Sequence, residues 1–282
     1  MNDRVLLIGS DGMLGRAWAS MLRLARVDFD APTLEEFDLT NADSIDAGIT
    51  AGHGRVINCA GYTDVDGAEG DESGAMAVNA TGVGRLADAC RRVGATLVHY
   101  STDYVFDGSA RTPYATDHAR APLGAYGRTK AAGEEAIQRS RCDHLIVRTS
   151  WMYAPWGNNF VRTIARLARE RDTLRVVIDQ RGRPCSAEHL ARTTLALLNA
   201  GQRGIRHASD GGECTWHEFA VEIARLTAPD CHIEPCSASE FPRPAPRPAY
   251  SVLDLGRTES VVGPMIHWRS NLSSVVDRLE QE

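Results

Sequence analysis

A tyrosine and a lysine stand four residues apart in the sequence, at Tyr126 and Lys130. If this segment is helical, the spacing puts both side chains on one face of the helix. A nearby cation favours the phenolate form, so we expect Lys130 to lower the pKa of Tyr126 toward the pH at which a phenol can transfer a proton. The same pair also occurs by chance, so its meaning depends on the elements around it.

The segment before this predicted helix supplies a hydroxyl group that could join the pair. Thr102 directly follows the β-rich run 96–101, and the carboxylate of Asp103 comes next. Ligands of open α/β sheets bind at the carboxyl ends of the strands. Thr102 could therefore hydrogen-bond a substrate carbonyl beside Tyr126. The structural alternatives are a helix or turn cap for Thr102 and a local turn for Asp103.

Three glycines at a spacing of three residues mark the end of the first predicted strand. Gly9, Gly12 and Gly15 lie between the apolar run 5–8 and an amphipathic segment, which is the context that a dinucleotide-binding turn requires. Gly9 permits a tight turn, Gly12 a close approach of pyrophosphate, and Gly15 close helix-to-sheet packing. The first N–H groups of the helix would then face the phosphates. Further cofactor contacts are expected from Asp11, Met13 and Leu14.

Two residues give opposite indications about which dinucleotide binds. Asp30, at the end of the second predicted strand, could accept hydrogen bonds from the adenosine ribose of NAD, which would oppose the extra phosphate of NADP. Arg16, at the start of the first helix, could bind that phosphate. Asp38 and Leu39 lie where the adenine is usually bracketed. The expected cofactor is therefore NADPH or NADH, with neither excluded.

These motifs belong to a chain in which β-rich apolar runs alternate with amphipathic helical segments, a pattern typical of repeated βαβ units. The predicted strands are 5–8, 27–30, 55–58, 96–101 and 145–149, and the predicted helices are 13–24 and a longer one in which Val83, Leu86, Ala87, Cys90 and Val93 recur at helical spacing. We predict an α/β fold with a Rossmann-type doubly wound parallel sheet in residues 1–150. The β-branched and aromatic residues of the runs support strands of this kind.

The pattern changes beyond residue 150, where we predict a smaller substrate-binding lobe over 151–282, with some of the chain returning to the Rossmann domain. The predicted elements are helices at 159–171, 187–198 and 215–226 and a strand at 174–178. The segment 241–248 holds four prolines, so it can be neither a regular helix nor a central strand. We expect it to be a loop at the surface or beside the site.

Composition excludes several classes of function. The chain has 31 Lys and Arg against 37 Asp and Glu, a net charge of −6, with no extended basic field for a nucleic acid. No apolar run approaches the roughly 20 residues that cross a bilayer. Seven scattered cysteines without a C-x-x-C pair indicate reduced thiols, and we expect no metal site. We therefore expect a cytoplasmic protein with a small-molecule partner, no nucleic acid and no membrane.

Several longer strings, taken in order with the motifs above, resemble the extended short-chain dehydrogenases and, among them, the dTDP-4-dehydrorhamnose reductases. The matching strings are 58–66, 101–108, 148–153, 157–160, 179–184 and the stretch from Arg247-Pro248 to Asp254. This resemblance implies NAD(P)H-dependent reduction of the C4 ketone of a nucleotide-activated 4-keto-6-deoxysugar.

The resemblance also implies roles for individual residues, with Thr102, Tyr126 and Lys130 as a catalytic trio. The cofactor contacts that it implies are Gly9, Gly12, Gly15, Ala60, Gly61, Thr63, Tyr126 and Lys130, and the substrate contacts are Thr102, Asp103, Tyr104, Trp151, Asn159 and Arg247. Some family members join a dimer through magnesium and a glutamate at the position of Ala17, so a metal-bridged dimer is not expected here. A homodimer of another kind stays open.

Two other functions stay open at this point. A sugar-nucleotide epimerase of the same superfamily takes a hydride and returns it, and the residues above do not argue against that reaction. A dehydratase would have Asp-Glu after the threonine, whereas Asp103 is followed by Tyr104. The third reading is a non-catalytic regulatory subunit resembling the partner of methionine adenosyltransferase, which the intact trio disfavours.

Overall fold

A computed structural model describes residues 4–279 of the chain, and its centre is a parallel sheet of six strands. The strands in chain order are β1 (Arg4–Ile8), β2 (Phe29–Asp30), β3 (His53–Asn58), β4 (Thr96–Thr102), β5 (His144–Thr149), β6 (Met152–Tyr153), β7 (Thr173–Val177), β8 (Arg181–Gly182), β9 (Cys185–Ser186), β10 (Gly204–His207), β11 (Cys214–Thr215) and β12 (His232–Cys236). The central sheet has the order β10-β5-β4-β3-β1-β2. The predicted α/β fold with a parallel Rossmann-type sheet is confirmed.

The helices in chain order are α1 (Met13–Leu24), α2 (Ala42–Gly48), α3 (Gly67–Gly70), α4 (Glu72–Met76), α5 (Val83–Val93), α6 (Ala125–Ser140), α7 (Phe160–Glu170), α8 (Ala187–Asn199), α9 (Trp216–Thr227), α10 (Gly256–Val262) and α11 (Trp268–Leu279). A π-helix at Ala77–Gly82 joins α4 to α5, and short 3-10 turns lie at Asp103–Val105 and Ala238–Glu240. No helix within residues 4–279 is both long and apolar enough to cross a membrane.

The alternation of side chains along each strand explains why helices pack on both faces of the sheet. In β1, Val5 and Leu7 pack into one hydrophobic cluster with Trp18 of α1, while Leu6 and Ile8 pack into another with Leu86 of α5. Successive side chains of a strand point to opposite faces, so each strand serves both layers. The helices α1 and α8 therefore cover one face, and α5 and α6 the other.

The order of chain crossings places a crevice between β1 and β3. From β1 the chain goes to β2 on one side, and then crosses to β3 on the other. At such a reversal, the loops after the two strands diverge and leave room for a ligand. The glycine turn follows β1, and residues 59–63 follow β3, so both predicted cofactor segments border this crevice.

Residues beyond 150 contribute to both parts of the molecule. The strand β10 pairs with β5 and α8 packs on α1, so these elements extend the central sheet and its helical layer. A separate hydrophobic cluster, with Ile164, Phe219 and Trp268 among its members, holds α7, α9 and α11 together. The sequence patterns had not predicted β10, β12, α10 or α11, and β2 is two residues long where the prediction had four.

Candidate active site

A cavity of about 770 Å³ lies over the carboxyl ends of β1, β3 and β4. The residues predicted as the trio, Thr102, Tyr126 and Lys130, all line it. Its other lining residues include most of the predicted cofactor contacts, namely Gly9, Asp11, Gly12, Met13, Leu14, Asp38, Leu39, Ala60, Gly61 and Thr63. Residues separated by more than 100 positions in the sequence thus share one space.

The glycine turn forms a cradle that side chains would fill. Gly9 has φ +74°, and a Cβ there would lie 2.8 Å from the Ala60 nitrogen. A Cβ at Gly15 would lie 1.9 Å from the Gly9 carbonyl oxygen, so this pair requires glycine for close contact. The first turn of α1 has no acidic residue and no side-chain cap, which leaves its N–H groups available to an anion. The cradle therefore fits the pyrophosphate of a dinucleotide.

The two residues that were expected to select the cofactor do not line this cavity. The Asp30 carboxylate contacts Arg4 Nη2 at 2.5 Å and His53 Nε2 at 2.9 Å. The expectation that Asp30 accepts hydrogen bonds from a ribose is therefore not supported, because its oxygens are taken by partners within the chain. The Arg16 guanidinium lies over the Trp156 ring, with Cζ 4.9 Å from the ring centroid, beside a second cavity.

The loop after β3 is held by Asn79, an asparagine for which the sequence predicted no role. Asn79 Oδ1 accepts from the Tyr62 nitrogen at 2.9 Å, and its Nδ2 donates to the Tyr62 oxygen at 3.0 Å. Asn79 is buried in the π-helix, and a Cβ at Gly61 would lie 3.1 Å from its Oδ1 atom. Local widening of a helix often occurs at functional sites, and here it presents Asn79 to the cofactor loop.

Tyr126 is held as a neutral phenol, contrary to the expectation from its spacing. Burial and the nearby Asp103 raise its pKa to about 12, although the Thr102 hydroxyl lowers it in part. The prediction of a lowered pKa is therefore wrong for this arrangement, because the cost of burying the phenolate exceeds the benefit of neighbouring donors. A phenol that keeps its proton at neutral pH can act as an acid.

Lys130 has an unusual environment for an amine. It is 6% exposed, and its Nζ donates to the Tyr100 carbonyl oxygen at 2.6 Å. Burial lowers the pKa of Lys130 to about 8, with Glu134 opposing that change. The amine lies at the base of the cavity, and it is the only lysine in the sequence.

Asp103 is a buried acid at the centre of the site. Its Oδ1 accepts from the Thr102 hydroxyl at 3.1 Å, and its Oδ2 makes no hydrogen bond of good geometry within the described chain, although Ser251 is near. Burial raises the pKa of Asp103 to about 7, while Ser251 and Thr102 lower it in part. Asp103 and Tyr104 line the cavity as expected for substrate neighbours.

Two stacked tryptophans form an aromatic platform in the wall of the cavity. Trp151 lines the cavity, and its ring stacks on Trp216 with centroids 3.6 Å apart. Trp151 has φ +43°, which is rare for a bulky residue and indicates local strain. Gly182 permits this position, because a Cβ there would lie 2.6 Å from the indole. Trp216 was not predicted, since only the fold brings α9 to this wall.

Two of the predicted substrate contacts have other partners. Asn159 is the N-cap of α7: its Oδ1 accepts from the Arg162 nitrogen at 3.2 Å, and its Nδ2 donates to the Ala154 oxygen at 3.0 Å. Arg247 forms two 3.0 Å bonds with Asp66. Neither Asn159 nor Arg247 is among the residues that line the main cavity, whereas Asn158 is. Asn159 therefore caps α7 in this structure, and its contact with the substrate stays a prediction.

Arg247, predicted to bind the diphosphate of the substrate, is paired with Asp66 in this structure. Its ion pair anchors the proline-rich segment, and the Ala245 nitrogen also donates to Asp66. Tyr104, which lines the cavity, lies within electrostatic range of Arg247. A diphosphate at Arg247 would therefore have to compete with Asp66 for the guanidinium. Within residues 4–279, no group of three or more His, Cys, Asp or Glu is arranged to hold a metal ion.

Comparison with known proteins adds the family. Residues 3–281 match the family model described as the RmlD substrate binding domain. A probable dTDP-4,6-dihydroxy-2-methyloxan-3-one 4-ketoreductase of Streptomyces antibioticus is 42% identical over 95% of this chain and 93% of its own length.

Solved structures agree with this match. A dTDP-4-dehydrorhamnose reductase of Clostridium acetobutylicum has a TM-score of 0.95 at 39% identity, covering 98% of this chain and 99% of its own. The corresponding reductase of Bacillus anthracis, solved in complex with NADP, has a TM-score of 0.92 at 35% identity, with the same coverage of 98% and 99%. A glycine cradle, a half-buried tyrosine beside a buried lysine, and these matches along nearly the whole chain lead to one conclusion: the protein belongs to the RmlD family.

Proposed function

We propose that this protein is an NADPH- or NADH-dependent reductase of the C4 ketone of a dTDP-activated 4-keto-6-deoxysugar. The observation that carries the proposal is the convergence of Thr102, Tyr126 and Lys130 on one cavity whose other end is the glycine cradle. The Streptomyces and Clostridium relatives, named as a 4-ketoreductase and a dTDP-4-dehydrorhamnose reductase, support the substrate class.

The bound nicotinamide would supply the hydride, and the protein's residues would handle the proton and the carbonyl. Tyr126, whose pKa is raised to about 12, keeps its proton until the carbonyl oxygen gains negative charge. Thr102 would steady that oxygen by a second hydrogen bond. The Lys130 amine, at the base of the cavity, would hold the cofactor ribose and stabilise the phenolate that remains.

The surroundings of Asp30 favour NADPH over NADH. Arg4 and His53 bond to the carboxylate of Asp30, which would otherwise be free to repel a 2′-phosphate. Arg16 is exposed next to Asp11 and the second cavity, where it could attract that phosphate. We expect both cofactors to work, with NADPH preferred, and the NADP complex of the Bacillus relative supports that order.

The nucleotide and sugar would lie between the Tyr126 wall and the Trp151–Trp216 platform. Stacked indoles provide a rigid apolar surface for a base or a sugar face. Asp103 and Tyr104 lie beside the trio and are proposed to contact the sugar hydroxyls. All seven cysteines are unpaired, which suits a reducing compartment, and we place the reaction in the cytoplasm.

A panel of dTDP-4-keto-6-deoxysugars, each tested with NADPH and NADH, checks this proposal. We expect one molecule of NADPH to be oxidised for each C4 alcohol formed. An epimerase would instead release a changed sugar without net oxidation of the cofactor. Tight cofactor binding with no turnover on any sugar of the panel would favour the regulatory-subunit alternative.

A further inference from the structure

Beneath Lys130, two polar side chains are buried in the sheet, and one of them, Asn58, also lines the cavity. Asn58 in β3 and His99 in β4 are opposite each other in the strand register, so both point to the face covered by α5 and α6. Asn58 is 1% exposed and His99 0%. His99 Nε2 lies 3.3 Å from Lys130 Nζ, and His99 Nδ1 lies 3.2 Å from Asn58 Nδ2.

The orientation of Asn58 determines which ring nitrogen of His99 carries the hydrogen. The Ala60 backbone N–H can only donate, and it lies 3.0 Å from Asn58 Oδ1. The amide nitrogen of Asn58 therefore faces His99, and Nδ1 must accept its hydrogen. Burial keeps the pKa of His99 well below its usual range, so the ring is neutral. A neutral ring that accepts at Nδ1 carries its hydrogen at Nε2.

That N–H group points at the amine of Lys130. An ammonium has three hydrogens and no lone pair, so a second N–H at 3.3 Å opposes it. A neutral amine has a lone pair that can accept the hydrogen. The chain of bonds from Ala60 through Asn58 and His99 is therefore complete only when Lys130 is neutral.

Other titratable groups surround Lys130 and act on it differently. On α6, Glu134 lies one turn beyond Lys130 and favours the ammonium, but its carboxylate is bonded to Arg148 of β5 at 2.6 Å. Tyr126 lies one turn before, and Asp103 faces the same cavity from the end of β4. His99 of β4 differs from these groups, because Asn58 of the neighbouring strand β3 sets which of its ring nitrogens carries the hydrogen.

We propose that His99, with its tautomer set by Asn58, is a positioning residue for Lys130 that holds the amine against β4 and favours its neutral form. The catalytic value of this device rests on the proposed function, in which Lys130 holds the cofactor ribose and stabilises the phenolate of Tyr126: an amine that is neutral at rest can take up a proton as the phenolate forms. Its structural basis does not depend on that function. The two can therefore be tested apart.

The single lysine makes a direct measurement possible. Protein labelled with 13C- and 15N-lysine gives one side-chain lysine signal, whose pH titration by NMR reports the pKa of Lys130 in the full-length chain. Asn58→Asp keeps an acceptor for the Ala60 N–H but presents a carboxylate to the ring, which moves the ring hydrogen to Nδ1. The proton stays on the amine, because an alkyl amine is a stronger base than imidazole. We expect the pKa of Lys130 to rise by about one unit or more.

The matched control separates the ring from the added charge. In His99→Asn, the shorter amide side chain can still hydrogen-bond residue 58 but does not reach Lys130. The effect of Asn58→Asp on the pKa of Lys130 is therefore measured with histidine and with asparagine at position 99, as a double-mutant cycle. We expect Asn58→Asp to have less than half its effect when residue 99 is asparagine. An equal effect in both backgrounds means that charge acts through space, and the proposal is then wrong.

Circular dichroism and thermal melting show whether Asn58→Asp folds. If it does not fold, the single variant His99→Asn still tests the proposal. His99→Asn alone should raise the pKa of Lys130, because no ring N–H faces the amine any longer. An unchanged pKa in that variant overturns the proposal. Turnover of the wild-type protein is measured in parallel. If it reduces no keto sugar, the proposed function is wrong, but the pH titration of Lys130 still tests the role of His99.

Discussion

The two ends of the cavity differ in whether backbone or side chains form their surface. At the cofactor end, the surface is backbone: Gly9 and Gly15 touch so closely that no side chain fits between them. At the proposed reacting end, the surface consists of buried and half-buried titratable groups, and the pKa values of Asp103, Tyr126 and Lys130 are near 7, 12 and 8. The first end should therefore be sensitive to added atoms, and the second to the loss or change of a proton-carrying group.

The largest expected effect tests the reacting end. Tyr126→Phe removes only the hydroxyl, and turnover should fall about 100- to 10,000-fold, as is typical for the loss of a general acid. Cofactor affinity should stay nearly unchanged, whereas Lys130→Met should weaken both. Steady-state kinetics and NADPH titration measure the two quantities. A Tyr126→Phe enzyme with more than about a third of wild-type turnover leaves the phenol without an acid role.

A methyl group at the cofactor end should have the next largest effect. Gly15→Ala forces a Cβ toward the Gly9 carbonyl at 1.9 Å, and we expect a loss of about 2 to 4 kcal/mol in unfolding free energy together with weaker NADPH binding. Gly70→Ala is the control, since a Cβ there meets no atom within 4 Å. Denaturant unfolding compares the two. If both changes are equally mild, the close backbone contact does not control this end.

The titration of Asp103 gives a smaller effect that depends on pH. Because the pKa of Asp103 is raised to about 7, the folded chain binds more protons than the unfolded chain between about pH 4 and 7, and the wild type loses stability as the pH rises through that window. Asp103→Asn cannot titrate, so its advantage in unfolding free energy should grow by about 1 to 3 kcal/mol from pH 5 to 7.5. The exposed Asp117, changed to Asn, is the control, and a difference that does not vary with pH would contradict the raised pKa of Asp103.

The smallest effect concerns the aromatic wall, which belongs to neither chemical end. Trp216→Leu removes the ring that stacks on Trp151 at 3.6 Å. Such stacking is worth about 0.5 to 1.5 kcal/mol, so the KM for the sugar nucleotide should rise up to about tenfold, with little change in kcat. The KM for NADPH should not change. An equal rise for both substrates would indicate general damage to the fold and not a sugar-side platform.

Much of the fold could be predicted from local patterns. The helix predicted at 13–24 has those bounds in the structure, and β1, β3, β4 and β5 lie within two residues of their predicted limits. These elements are long and strongly patterned, so neighbouring residues suffice to define them. β10 could not be predicted in the same way, because its four residues become a strand only by pairing with β5.

The sequence by itself determined which residues are proposed to carry the chemistry: the glycine turn, the threonine after a strand and the tyrosine-lysine pair are local motifs. Only the tertiary structure decided their electrostatic state and their partners. Asp30 is bonded to Arg4 and His53, Arg247 is paired with Asp66, and Asn159 caps α7. Tyr126 keeps its proton because burial by segments far apart in the chain, together with Asp103, raises its pKa. Spacing along a helix predicts which groups can meet, but desolvation depends on everything that packs around them.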